Sequence, residues 1–568
     1  MKIKSYIYYA IICILPLTFT ALIFTNSVVE VQLGWKKEFY LHHLNNYYKI
    51  FNTEDYVTEN QRKIDILHYD LFFDLFPDEK EFDASAVIKG VVKEEGLKKI
   101  EVNFYENFEI SEVKLNGIKS EYINEDKLLA ISSDYPFPLD TFDFEVTYSG
   151  TPKKAGLEGF VFGKINGTSL VYNLSEPTYA SSWYPCNDFP SDKALLDIRI
   201  KNDSSQISIS NGLLIGTEDD GNRRTYHWKT NYPISTYLIA VYSSSYTHFS
   251  DTYISIDEQD TMAIDYYVLQ NNVEDAETDF QEHPEILRFF AETFGEYPFI
   301  KEKYGVAEFL WQMGAMEHQT ITGVASNIIG GKNFFLDIYI HELAHHWWGD
   351  AVGPKSWNDI WLNEGFSTYS EALYYEFKSG KSALRSSMLS KSRGSFSVEL
   401  GNPGSFLFSG TVYNKGAWVL HMLRWELGDK TFFKILREYY KKYKYSNAST
   451  EDFKNVCESV SGVDLTKFFD QWLNGTGKIE LIYNWTTEKI ATDYESIITL
   501  EQIQDGYDEY FFNLGVNLKY DGNELETFRF NIESRTAELI IRSKKKPVEI
   551  ILDPDNWLLM TEPKLVEN

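Results

Sequence analysis

Cysteine is scarce in this chain, with three in 568 residues. Cys13 lies in an apolar amino-terminal stretch, which leaves Cys186 and Cys457. A chain this long buries enough core without a disulfide framework, so both thiols are expected to be free and buried. Basic residues are also few, at 54 Lys and Arg against 84 Asp and Glu, a net charge of -30. Nucleic acid binding needs a basic footprint, and nucleic acid is therefore excluded as a partner. No internal repeat and no low-complexity tract is present, and the length implies about three or four domains. Aromatics, by contrast, make up 16% of the chain, which suits a β-rich protein with large cores.

Charge is missing altogether from Ser5 to Val29, behind Lys2 and Lys4. About 20 apolar-leaning residues with a basic flank on the cytoplasmic side are enough for a bilayer-spanning helix. A cleaved secretory signal is the competing reading, but no convincing small-residue cleavage site follows. Residues 1–29 are therefore expected to be an uncleaved signal anchor. Either way the remainder is exported, with the catalytic part outside the cytoplasm, and secreted if the segment is cut. Residues 30–60, including His42 and His43, are polar and irregular and read as a linker.

The chemistry-bearing stretch is His341-Glu342-Leu343-Ala344-His345, in a helical pattern after Gly330-Gly331, with Asn333 expected as its cap. Two imidazoles four positions apart share one helix face and can reach one ion. The carboxylate of Glu342 points to a neighbouring side, where it can address a water. Glu364, nineteen residues after His345, stands in a second helical pattern that opens at Ser356-Trp357-Asn358-Asp359 and closes at Gly380. Gly349, Gly353 and Pro354 suit a reversal between the two helices. Two His and one Glu hold a single Zn²⁺ and leave one corner open, the pattern of a catalytic rather than a structural zinc. Glu371, two turns beyond Glu364, is a candidate partner for the second nitrogen of a ligating imidazole. His346 is read as packing.

These residues resemble the gluzincin aminopeptidases related to aminopeptidase N and the leukotriene hydrolases. Other motifs carry the same resemblance. Ser175-Glu176-Pro177-Thr178-Tyr179-Ala180 stands before Trp183-Tyr184-Pro185-Cys186, with Glu176 ten residues before the Cys, although the family usually has Ala where Pro177 stands. Gly314-Ala315-Met316-Glu317-His318 is similar to the family's G-x-M-E-N, with His318 in place of the Asn. Tyr413-Asn414-Lys415-Gly416-Ala417 matches Y-x-K-G-A. The resemblance implies that Glu176 and Glu317 bind the substrate's free amine. It implies that Gly314, Ala315 and Met316 form an extended edge pairing with substrate backbone, and that the Tyr413 hydroxyl lies beside the metal. It covers about residues 64 to 568, and the chain stops before the large helical domain of several family members.

The expected fold is multidomain α+β. Short alternating runs such as Tyr69–Phe76, Ala86–Val92 and Phe142–Tyr148 predict an all-β domain over residues 61–252. Residues 253–477 are expected to form a mainly helical, thermolysin-like catalytic domain, including helices over Asp429–Tyr443 and Ser449–Val460. Residues 478–568 are expected to form a β-sandwich, with strands that include Tyr510–Leu514 and Leu518–Tyr520.

From the residues, the site predicts metal-assisted hydrolysis. The ion brings a water to a pKa of about 7, and Glu342 takes its proton and passes one to the leaving amine. The resemblance narrows this to a zinc aminopeptidase acting on peptides with a free amino terminus. A thermolysin-like endopeptidase shares the metal site without needing amine anchors. A silent receptor or adhesion module on the same scaffold would be expected to lose a ligand or Glu342.

Overall fold

The computed structural model describes residues 57–566. The chain enters through a one-turn helix, Glu59–Arg62, capped by Thr58 and Gln61. Thr58 and Asn60 both donate to the Glu101 carboxylate, the latter at 3.3 Å, so the last residues of the expected linker are already docked on the β domain.

Strand Ile64–Phe76 lies inside an eight-stranded sheet, antiparallel to Glu81–Val92 on one side and parallel to Leu195–Asp203 on the other. Its buried residues are Ile64 and Ile66, then Tyr69, Leu71, Phe73 and Leu75. The register shift between Ile66 and His68 explains the change of parity: a bulge inserts one residue, exposes Leu67 and returns the apolar set to the core face. A second, five-stranded sheet contains Glu158–Ile165 and Thr168–Leu174, and the latter strand leads into the Glu176 loop.

The sheet of the catalytic part begins at Tyr246, because Tyr246–Ile254 pairs along its whole length with Thr261–Leu269. The boundary expected at residue 252 falls inside that strand. The sheet continues through Tyr304–Phe309 and Thr322–Ala325 and ends at the two-residue edge Ala315–Met316. Against it packs the first site helix, Leu336–His345, followed by the second, Trp361–Ser379. Asn333 does not cap the first helix. It has a positive φ of 53°, its backbone N–H bonds Asp279 at 2.7 Å, and the helix starts three residues later without a side-chain cap. Asp279 also accepts from the N–H groups of Gly330 and Gly331, so a distant carboxylate fixes the loop instead. The Ser356 signal belongs to a short 3-10 turn, Trp357–Asp359, and the second site helix starts at Trp361. It stops at Gly380, whose φ of 79° favours glycine.

Helices Val273–Asp279, His283–Phe294, Lys381–Lys391, Gly416–Leu427, Asp429–Tyr443, Thr450–Ser461 and Thr466–Leu473 complete the helical part. The carboxy-terminal residues form one sheet of four strands and one of three. The two strands expected over Tyr510–Leu514 and Leu518–Tyr520 are a single strand, Phe512–Lys519, because Leu514, Val516 and Leu518 fall in one uninterrupted buried row. Cys186 and Cys457 are free and buried. Among the described residues no helix is long and apolar enough to cross a membrane. The stretch 1–29, for which an anchor is expected, lies outside the described residues.

Candidate metal centre

Helix periodicity places His341 and His345 on one face of the first site helix, and the second brings Glu364 opposite them. The two Nε2 atoms are 3.0 Å apart, and the Glu364 carboxylate lies 3.2 Å from His341 Nε2 and 3.3 Å from His345 Nε2. A tetrahedral shell with bonds of about 2.0–2.1 Å has edges of about 3.3–3.4 Å, close to all three separations.

The outer nitrogens explain why the inner ones converge. His345 Nδ1 donates to the Trp348 carbonyl at 3.0 Å, an atom that can only accept. His341 Nδ1 donates to Glu371 at 2.9 Å, and the Lys391 ammonium donates to the other Glu371 oxygen at 2.9 Å. Both Nδ1 atoms therefore carry hydrogen, and in the neutral rings both Nε2 lone pairs face Glu364 and each other. Two lone pairs and an anionic oxygen this close call for a shared positive charge, a metal ion or a proton on one of the rings. Burial alone would lower both imidazole pKa values, yet the surrounding carboxylates outweigh it and raise them. Burial would raise Glu364, and the imidazoles instead hold it at about 2. The donor set fits a zinc ion with an open corner.

Three further carboxylates face this centre. One oxygen or ring nitrogen from each of Glu317, Glu342 and His345 lies within 4.8 Å of the others, as do those of Glu176, Glu317 and Glu364. Burial, reinforced by Glu317, pushes Glu342 up to about 8. Glu317 and Glu176 are also raised, first by burial; for Glu176, the next contribution comes from Glu317. Oε1 of each has no hydrogen-bond partner among the described residues. Glu176 arrives here with Pro177 behind it, across a cis peptide bond. Ala315 and Met316 form the sheet edge, and Gly314 just before them accepts from the Ala325 N–H at 3.0 Å.

Tyr413 sits in a wide turn, Thr411–Lys415, that leads into helix Gly416–Leu427. Its ring stacks on that of His341, with centroids 5.7 Å apart and planes at 15°. Burial, then Glu364, raises its phenol well above the ordinary value, so it stays a neutral donor. His346 points away and is bonded by Tyr297 at 2.9 Å, as packing requires. The Trp348 carbonyl and Lys391 are two positioning groups that sequence reasoning missed. Lys391 comes from the next helix, twenty positions after Glu371, at no spacing that periodicity could flag.

Fold and donor set together define a gluzincin-type, single-ion metal centre. Residues 66–238 match the Peptidase M1 N-terminal domain and residues 278–472 the Peptidase family M1 domain. The chain belongs to the peptidase M1 family. It is 25% identical to probable aminopeptidase 1 of Sulfurisphaera tokodaii, over 71% of this chain and 53% of that protein. It is 25% identical to aminopeptidase 2 of Candida albicans, over 95% of this chain and 60% of that one. It thus spans between 53% and 60% of the length of these two relatives. Among solved structures, the M1 zinc metallopeptidase of Deinococcus radiodurans aligns with a TM-score of 0.63 at 24% identity, covering 73% of this chain and 94% of that one. Aminopeptidase A of Legionella pneumophila aligns at 0.78 and 17% identity, covering 91% and 60%. Identities this low speak to the fold alone.

Proposed function

We propose that this protein is a zinc-dependent aminopeptidase that removes the first residue of peptides with a free amino terminus. The observation that carries the reading is the pair Glu176 and Glu317: buried, each with an unpartnered oxygen, and within 4.8 Å of the Glu364 carboxylate. An unpaired buried carboxylate is costly, and a protonated amine is the partner that relieves two of them at once. Such an amine, held there, sets the first peptide bond beside the metal ligands.

His341, His345 and Glu364 would hold a zinc ion, which would supply Lewis acidity for the scissile carbonyl and for a bound water. Glu342, beside His345 and Glu317, is placed to accept a water's proton and return one to the leaving amine, and a bound dication would favour its ionised form. The Tyr413 hydroxyl, neutral and beside His341, donates to the developing oxyanion, a contribution of about 10²–10³ in rate for one donor. The edge Ala315–Met316 and Gly314 before it offer backbone groups to an extended substrate. The uncharged stretch Ser5–Val29 supports an exported protein held to a membrane by residues 1–29.

The test is a panel of aminoacyl substrates together with one peptide and its N-acetylated copy. We expect turnover of the free peptide only, loss of turnover on chelation, and loss in Glu342→Gln with zinc still bound. Equal cleavage of the acetylated peptide would mark an endopeptidase and defeat the assignment.

A further inference from the structure

The turn after His345 is held from the amino-terminal β domain. Residues 345–352 fold back on themselves through Asp350 N–H to the His345 carbonyl at 3.0 Å, Ala351 N–H to that of His346 at 3.2 Å, and Val352 N–H to that of Trp347 at 3.1 Å. Gly349 has a φ of 136°, and a Cβ there would come within 3.3 Å of His345 Nδ1, so the turn leaves room for the ring it orients. On the outer side the Lys193 ammonium donates to the Asp350 carbonyl at 2.6 Å and to the Ala351 carbonyl at 3.3 Å.

A second observation concerns Gly353. A Cβ at that position would lie 3.1 Å from Lys193 Nζ, 3.0 Å from its Cε and 2.7 Å from Asn447 Nδ2. The glycine therefore makes the cradle in which the lysine ends. Asn447 completes it, donating to the carbonyls of Pro190 and Pro354, each at 3.0 Å. Lys193 is half-buried, and burial draws its pKa down to about 7 against the opposing pull of Asp350, while the ammonium keeps both carbonyl bonds.

We propose that Lys193 is a positioning residue of the metal centre. By clamping the turn it fixes the Trp348 carbonyl that orients His345, and so couples the amino-terminal β domain to metal affinity. The inference rests on reading His341, His345 and Glu364 as a one-ion site. Loss of an outer partner of a ligating histidine costs about 10–100-fold in metal affinity, and the clamp acts one step further out.

The experiment titrates zinc into full-length wild type, Lys193→Met and Lys193→Arg in competition with a chromogenic chelator, and follows thermal unfolding of each metal-free protein. We expect one zinc per wild-type chain, an affinity about tenfold weaker in Lys193→Met, recovery in Lys193→Arg, and unchanged metal-free unfolding. Wild-type affinity in Lys193→Met would overturn the proposal. So would a loss of affinity matched by an equal loss of metal-free stability, which marks a purely structural clamp. A wild type that takes up no zinc overturns the metal-site reading itself and, with it, the inference. Should Lys193→Met fail to fold, Gly353→Ala, which crowds the ammonium from the other side, is expected to weaken zinc to the same extent; unchanged affinity there would overturn the proposal.

Discussion

His318 stands where the family pattern has asparagine, and its chemistry differs in one respect that can be measured. The Tyr242 hydroxyl donates to its Nδ1 at 2.5 Å, Nε2 has no partner among the described residues, and the ring is fully buried. Burial pushes its pKa down to about 3, whereas an unfolded histidine titrates near about 6.5. The unfolded chain therefore takes up a proton below that pH which the folded chain refuses, and stability from this group is present above about 6.5 and lost as the pH falls. An asparagine accepts the Tyr242 bond and does not titrate. In urea unfolding of metal-free protein, His318→Asn is expected to gain on wild type by about 1.4 kcal/mol per pH unit below about 6. A constant difference between pH 7.5 and 5 would refute the burial account. Residues such as His341, His345 and Glu364 were legible in the sequence, because two of them sit on one face of one helix. Lys391 and Lys193 were not, since each meets its partner only through packing.

At the scale of elements, the site depends on two helices whose backbones touch. A Cβ on Gly365 would lie 2.8 Å from the Cα and carbonyl carbon of Gly416, and one on Gly416 would lie 2.9 Å from the Gly365 Cα. Gly365 follows Glu364 directly, and Gly416 comes three residues after Tyr413. This crossing therefore sets how far the tyrosine stands from the metal ligands. Overpacking a close contact costs about 1–3 kcal/mol. Gly365→Ala is expected to lose stability of that order and at least about tenfold in kcat/KM, more than a distant variant of equal stability loss. Unfolding curves beside steady-state kinetics decide it, and full activity would show that the tyrosine's placement does not depend on the crossing. A helix end was legible where glycine with positive φ closes it, as at Gly380. They were misread where a distant group replaces the local cap, as Asp279 replaces Asn333.

At the scale of the whole molecule, the fold does not wait for the metal. The site helices are packed by fully buried Trp347, Trp348 and Trp361, so removing zinc is expected to leave the secondary structure intact. A ligand that binds only the native state still stabilises it, by about 2.7 kcal/mol at a hundredfold excess over Kd. Chelation should thus lower the thermal midpoint and leave the circular dichroism spectrum at 25 °C unchanged. Identical melting with and without zinc would argue against a specific site. The sequence by itself determined that the His341 and His345 rings stand together with Glu342 beside them, because the period of a helix fixes which side chains share a face. It also determined the alternation of the β domain, apart from the bulge at Leu67. Tertiary structure alone decided that Lys391 reaches Glu371 behind His341 and that Lys193 reaches the turn after His345, whereas the meeting of Glu176 and Glu317 was implied by the family resemblance and by no spacing. Contacts between elements far apart in the chain follow from packing and have no spacing to betray them.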